Sequence, residues 1–202
     1  MPAHALHRRF LETASELSPA LAAAVERAGP QTMRSRADLP FAEYLARAIT
    51  GQQLSVAAAR AIWGRLVECA NGAPLLGHFC EKNAALLRDC GLSAAKVKAI
   101  VAIAEADRTT RLDTQKLRAM NYAARTEALT EIWGVGRWTA DMMSMFYFGE
   151  KDIWPDGDVG ARKTLERLIR PRRSAARAAE RFAPYRSYLA LYMWAHADAK
   201  PD

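Results

Sequence analysis

Apolar residues recur at helical spacing along most of the chain. In residues 3–28 they fall on one helix face, and Ser18-Pro19 breaks the run before Gly29-Pro30 closes it, so two helices are predicted. The apolar positions of this run are Leu6, Phe10, Ala14, Leu17, Leu21 and Val25. The chain is rich in Ala, and no convincing run of alternating β-branched residues occurs. We therefore predict an all-α fold.

The same pattern predicts further helices over residues 41–50, 57–69, 81–89 and 114–120. Ser93 is a suitable N-cap for another helix. Between the first two of these segments lies the stretch Gly51-Gln52-Gln53-Leu54-Ser55-Val56. Taken by itself, the Gln52-Gln53 pair is typical of a polar helix junction, and Leu54 is typical of a core residue.

In the segment Ile132-Trp133-Gly134-Val135-Gly136, the Gly-Val-Gly part lies between two predicted helices, residues 123–133 and 137–148. Its glycines accept the positive φ that a tight turn requires, which predicts a hairpin. The first N–H groups of the second helix, at residues 136–138, have no partner within the helix and favour a phosphate ligand, and Thr139 can add a hydroxyl donor. The alternative is a plain C-cap and turn.

The hairpin continues into Arg137-Trp138-Thr139-Ala140 and is followed by Pro155-Asp156-Gly157-Asp158. With these motifs the chain resembles the helix-hairpin-helix DNA glycosylase superfamily, most of all the DNA-3-methyladenine glycosylase II family. The stretch from Gly51 to Val56 is similar to a second motif of that family. The resemblance implies an all-α, two-lobed fold without the N-terminal β domain that some members carry. The implied lobes are residues 41–150 and residues 1–40 plus 151–202.

The resemblance also implies a function. It implies base-excision repair of double-stranded DNA containing damaged bases, by hydrolysis of the N-glycosidic bond of alkylated purines such as 3-methyladenine. Family members that also cut the DNA backbone use a lysine where this chain has Trp138, so water, and not an amine, is the expected nucleophile. Two alternatives stay open: a bifunctional glycosylase/lyase for oxidised bases, and a non-enzymatic helix-hairpin-helix DNA-binding module.

The implied catalytic residue is Asp158, with Asp156 as its rival. Asp158 also suits a helix N-cap, and the two roles are compatible because amides at a helix start hold a carboxylate ionised and oriented. A fixed carboxylate stabilises the positive charge that develops on the sugar as the base leaves, and it can orient or deprotonate the attacking water.

The resemblance assigns Trp138, Trp194 and Met142 to the base pocket. Stripes of aromatic and Met residues are usually core, but electron-rich indoles suit a cationic alkylated purine. The implied DNA-binding residues are Gln53, Leu54, Gly134, Gly136, Arg137 and Thr139. Of these, Gln53 or Leu54 is expected to fill the gap left by the flipped base.

The formal net charge is +7, and residues 159–188 carry nine Lys or Arg against two Glu, an excess equal to the whole net charge. Such a segment favours a polyanionic partner, although solvated Arg-rich faces are common. Cys69, Cys80 and Cys90 form no C-x-x-C pair and no cysteine follows Cys90, so no metal, no iron–sulfur cluster and no other cofactor is expected. No signal peptide or long apolar run is visible, and an intracellular, cytoplasmic monomer is expected.

Overall fold

The computed structural model describes residues 2–169 and 174–199, and every regular element within these ranges is helical. The all-α prediction is confirmed. The α-helices are α1 (Ala3–Leu17), α2 (Pro19–Ala28), α3 (Phe41–Gly51), α4 (Val56–Cys69), α5 (Leu75–His78), α6 (Ala84–Asp89), α7 (Ala94–Arg108), α8 (Thr114–Ala119), α9 (Tyr122–Thr130), α10 (Arg137–Phe146), α11 (Val159–Leu168), α12 (Ala175–Glu180) and α13 (Arg186–Asp198). A short 3₁₀ helix, Glu81–Asn83, precedes α6. Among the described helices, none combines the length and the apolar character needed to cross a membrane.

Side-chain caps explain helix starts that the sequence predicts. The Ser18 hydroxyl accepts a hydrogen bond from the Ala20 amide at 3.2 Å, with Pro19 in the first position of α2. The Ser93 hydroxyl accepts from the Lys96 amide at 3.2 Å at the start of α7. These oxygens satisfy N–H groups that have no acceptor within their own helix. The predicted break at Ser18-Pro19 and the predicted cap at Ser93 are both confirmed.

The chain divides into two compact units, residues 1–35 with 149–202 (the first unit) and residues 36–148 (the second unit). In the first unit α1 and α2 pack together, and α11 and α13 pack against α2. Its buried core takes large apolar side chains from all four helices: Phe10, Leu21, Val25, Leu165, Leu189 and Tyr192. The Tyr192 hydroxyl also lies 2.8 Å from Nδ1 of His7, which joins α13 to α1.

In the second unit α3 packs on α7 and α4. Leu45 and Ile49 of α3 and Ile100 and Ile103 of α7 are fully buried. The last two helices of this unit, α9 and α10, pack on each other and form the predicted hairpin. The second unit therefore carries both the hairpin and the turn from α3 to α4.

The hairpin helices are shorter than predicted at their C-terminal ends. The first, α9, ends at Thr130 rather than at residue 133, because the Ile132 amide turns back to the Leu129 carbonyl. The second, α10, ends at Phe146 rather than at residue 148, and Gly149 at φ 79° reverses the chain just beyond it. A glycine in the left-handed region is a common way to terminate a helix.

Candidate active site

The two glycines of the hairpin have different conformations. Gly134 has φ +84°, and a Cβ atom on it would lie 2.5 Å from Cβ of Ala99, so this position requires glycine for both reasons. Gly136 has φ −88° and ψ 172°, which any residue adopts, and nothing lies within 4 Å of a Cβ built there. The prediction of a positive φ is therefore confirmed at Gly134 and wrong at Gly136, which serves instead as the open N-cap of α10.

The start of α10 presents backbone N–H groups. Gly136 provides no side-chain cap, and the first hydrogen bond within the helix runs from the Ala140 amide to the Gly136 carbonyl at 3.0 Å. The N–H groups before Ala140 therefore have no acceptor within α10, and the helix dipole is positive at this end. Backbone in this geometry favours an anionic ligand.

Arg137 belongs to a polar network that joins the two hairpin helices. Its guanidinium donates to Asp141 Oδ1 at 3.1 Å and to the Tyr122 hydroxyl at 3.0 Å, and that hydroxyl donates to Asp141 Oδ1 at 2.6 Å. Burial raises the pKa of Asp141, and the hydrogen bonds from Tyr122 and Arg137 oppose that rise. The side chain of Arg137 remains 65% exposed. Arg137, a predicted DNA-binding residue, therefore also links α10 to α9.

Thr139 and the turn after α3 are directly connected. Thr139 is buried, and its hydroxyl accepts a hydrogen bond from the side-chain amide of Gln52 at 3.0 Å. In the same turn Gln53 has φ 57° and is exposed, and Leu54 is 40% exposed. The interpretation of Leu54 as a core residue is wrong, because the turn directs its side chain away from the core. Sequence reasoning missed the link between Gln52 and Thr139.

Trp138 and Met142 lie one helical turn apart on α10. Trp138 is 39% exposed, so it is not a core side chain, whereas Met142 is 8% exposed and largely buried. Residues four apart share a face of a helix, so the exposed indole and the buried thioether stand on the same side of α10.

Asp158 lies at the end of a tight turn in the first unit and caps α11. The Asp158 amide donates to the Pro155 carbonyl at 2.8 Å, which closes the turn. Its Oδ1 atom accepts from the Ala161 amide at 2.8 Å, so the prediction of an N-cap is confirmed. The side chain is half-buried and faces the positive end of the α11 dipole.

A second donor reaches the same carboxylate oxygen. The Trp194 indole N–H donates to Asp158 Oδ1 at 3.0 Å. Trp194 stands on α13, is half-buried and packs against the core of the first unit. The structure therefore brings together two predicted site residues, Asp158 and Trp194. Their hydrogen bond is a feature that sequence reasoning missed.

Asp156, the alternative catalytic residue, lies in a different environment. Asp156 is exposed, and its Oδ1 atom accepts from the Trp154 indole two residues earlier at 3.2 Å. Asp158 accepts from a backbone amide and from an indole on a second helix, whereas the Trp154 indole that donates to Asp156 belongs to the same turn. Asp158 is consequently the better oriented of the two carboxylates.

Some of the basic residues of segment 159–188 form ion pairs within the first unit. Arg186 binds Asp152 with Nε–Oδ1 2.7 Å and Nη2–Oδ2 3.0 Å, and Arg181 pairs with Glu16. Lys163 and Arg167, by contrast, line an open groove of about 540 Å³ along α11. Arg170, Arg172 and Arg173 of this segment lie outside the described residues.

Within the described part of the chain, no group of three or more His, Cys, Asp or Glu is arranged to hold a metal ion. Cys69 and Cys90 are free thiols whose Sγ atoms lie 3.1 Å apart. Burial and the neighbouring Cys69 raise the pKa of Cys90 to about 11, so this thiol is protonated near neutral pH.

Comparison with known proteins gives a consistent set of relatives, although no protein-family model matches the chain. DNA-3-methyladenine glycosylase 1 of Schizosaccharomyces pombe is 32% identical over 160 residues, which cover 75% of this chain and 70% of that protein. The crystal structure of DNA-3-methyladenine glycosidase from Bacillus halodurans has a TM-score of 0.75 at 29% identity, covering 93% of this chain and 88% of that one.

A further solved structure, the 3-methyladenine DNA glycosylase of Schizosaccharomyces pombe in complex with abasic DNA, has a TM-score of 0.71 at 26% identity. The match covers 91% of this chain and 94% of that one. The helical fold, the glycine hairpin and these relatives agree. The chain belongs to the helix-hairpin-helix family of DNA-3-methyladenine glycosylases.

Proposed function

We propose that this protein is a DNA base-excision repair glycosylase that hydrolyses the N-glycosidic bond of alkylated purines, such as 3-methyladenine, in double-stranded DNA. The observation that carries the proposal is the Asp158 carboxylate, fixed by the Ala161 amide and the Trp194 indole at the start of α11. The names of the relatives support it, and one of them was solved with abasic DNA, the form that remains after base removal. We place the activity in the cytoplasm, in a monomer bound to DNA.

Asp158 is the catalytic carboxylate in this proposal. As the glycosidic bond breaks, its electron pair leaves with the base and positive charge develops on the sugar around C1′. A carboxylate already held by two donors stabilises that charge without having to reorient. Asp158 also orients or deprotonates the water that adds to C1′. The products are the free base and a DNA strand with an intact backbone and an abasic sugar.

Trp194 has two roles in the proposal. Its N–H positions Asp158, and its ring contacts the damaged base. Trp138 and Met142 are the other base-contacting residues, and 39% of the Trp138 surface is exposed. A cationic alkylated purine favours indole rings, because its positive charge adds cation–π attraction to stacking. Trp138 cannot form a Schiff base, so strand cleavage by an amine is not part of the reaction.

DNA binding is assigned to the hairpin and the turn after α3. The N–H groups beside Gly134 and Gly136 bind a phosphate of the DNA backbone, with Arg137 adding positive charge. We also assign Thr139 to DNA binding, and its hydroxyl accepts a hydrogen bond from the Gln52 side chain of the turn after α3. Gln53 or Leu54 enters the space of the flipped nucleotide, which offsets part of the unstacking cost. We further propose that the two functional lobes, residues 41–150 and 1–40 with 151–202, correspond to the two compact units.

The test is a base-release assay on methylated duplex DNA. Chromatography should detect free 3-methyladenine, and the DNA strand should stay intact until heat or alkali is applied. Strand cleavage without that treatment, together with borohydride trapping of a covalent adduct, would instead support a glycosylase/lyase. DNA binding without any base release would support a non-enzymatic hairpin module.

A further inference from the structure

The turn that joins α3 to α4 has an unusual shape. Gln53 adopts φ 57°, a left-handed conformation that costs a non-glycine residue free energy, and Leu54 exposes 40% of its surface. The turn is terminated by Ser55, whose hydroxyl caps α4 through the Ala58 amide at 3.2 Å. A strained turn with an exposed apolar side chain persists only when its surroundings hold it.

One lysine supplies much of that support. Nζ of Lys96, in the first turn of α7, donates to the Thr50 carbonyl at 2.9 Å and to the Gln52 carbonyl at 2.7 Å. These carbonyls belong to the C-terminal end of α3, where helix carbonyls lack intrahelical donors and the dipole is negative. The side chain of Lys96 is half-buried, and burial lowers its pKa. Two of the three N–H donors of its ammonium group are thus used by this turn.

Gln52 is held by both its backbone and its side chain. Its carbonyl accepts from Lys96, and its side-chain amide donates to the Thr139 hydroxyl on α10 at 3.0 Å. Gln53 and Leu54 follow directly, so their position is fixed relative to both α7 and the start of the hairpin helix. All these residues belong to the second unit.

We propose that Lys96 is a positioning residue for base flipping: it holds the Gln53–Leu54 turn in the conformation that enters the DNA stack. The inference rests on the proposed function, in which this turn fills the gap of the flipped nucleotide. A turn ordered in advance does not have to be ordered during insertion, which lowers the cost of flipping. Lys96 does not touch the reacting atoms, so its loss acts on flipping and not on bond cleavage.

The experiment compares two DNA substrates under single-turnover conditions. One carries the methylated base opposite its normal partner in a duplex, and the other carries it in an unpaired bubble, where no base pair has to be opened. Lys96→Met should lower the excision rate on the duplex about tenfold or more, as expected when hydrogen bonds from a charged group are lost, and should change the bubble rate much less. Lys96→Arg, which keeps a charged donor, should restore most of the duplex rate.

The control is Lys116→Met, which removes an exposed lysine of α8 in the same unit and should behave as wild type on both substrates. Circular dichroism and thermal unfolding verify folding, and Lys96→Gln takes the place of Lys96→Met if the latter does not fold. Equal losses on duplex and bubble, or no loss on either, would overturn the role of Lys96. Absence of base release by the wild type would instead refute the proposed function itself, so the two failures are distinguishable.

Discussion

At Asp158 a single oxygen, Oδ1, accepts hydrogen bonds from the Ala161 amide and from the Trp194 indole. The first bond is a helix cap, which serves stability. The second comes from a side chain 36 positions along the chain and has no part in starting α11. In the proposed mechanism this second bond orients the Asp158 carboxylate for catalysis, a role that a helix cap alone does not require.

Trp194→Phe removes the N–H donor and keeps an aromatic ring, so it tests that bond directly. A hydrogen bond to a charged group contributes about 1.5–3 kcal/mol, and we expect single-turnover base release to fall roughly tenfold or more. The matched control is Trp154→Phe, which removes the corresponding indole bond to Asp156. Comparable rates for the two variants would contradict the orienting role of Trp194.

The two glycines of the hairpin have different roles. Gly134 is required by backbone conformation and by its contact with Ala99, whereas Gly136 leaves open space at the start of α10. Stability should therefore depend on Gly134, and ligand binding on Gly136.

Gly134→Ala should destabilise the protein, because its φ is positive and its new Cβ would overlap Ala99. We expect a loss of roughly 1–3 kcal/mol in the free energy of unfolding, the range for a residue held in an unfavourable backbone region. Urea denaturation measures this value. Gly136→Ala should lose less than about 1 kcal/mol, since alanine is only a weaker N-cap at that position. Equal losses at the two positions would contradict the assignment.

Gly136→Asp places a negative charge where we expect a DNA phosphate. Asp and Asn cap helices about equally well, so Gly136→Asn is the control that adds the same bulk without charge. The Asp variant should bind duplex DNA more weakly than the Asn variant at low salt, with the difference shrinking as salt rises. Fluorescence anisotropy with an unmodified duplex gives both affinities. Identical affinities would show that no phosphate lies at this helix start.

Over the whole molecule, local features could be predicted from the sequence and long-range ones could not. The cap at Asp158 and the turn at Gly134 are set by a few neighbouring residues, so their residue types reveal them. The bond from Gln52 to Thr139 joins positions 87 apart, and helical periodicity identifies a buried face without naming its partner. The exposure of Leu54 is not evident from the sequence for a related reason, since it depends on the left-handed residue before it.

The net charge of +7 is a property of the whole molecule, but the cations that contribute to it have different local environments. Arg186 and Arg181 are paired with acidic residues of the first unit, and Lys163 and Arg167 face an open groove. Sequence reasoning treats these cations alike, whereas an ion pair with a carboxylate reduces the attraction that a cation exerts on DNA.

In the proposed function the charge of Asp158 drives base excision, and Asp158→Asn tests this role most directly. Asn is nearly isosteric and caps helices about as well, so unfolding stability should change little, and duplex binding should not weaken because a negative charge is removed. Single-turnover release of 3-methyladenine should fall roughly a hundredfold or more, the scale for losing one preorganised electrostatic partner. Asp156→Asn is the control and should keep nearly full activity. A near wild-type rate for Asp158→Asn, above all with an inactive Asp156→Asn, would contradict the account.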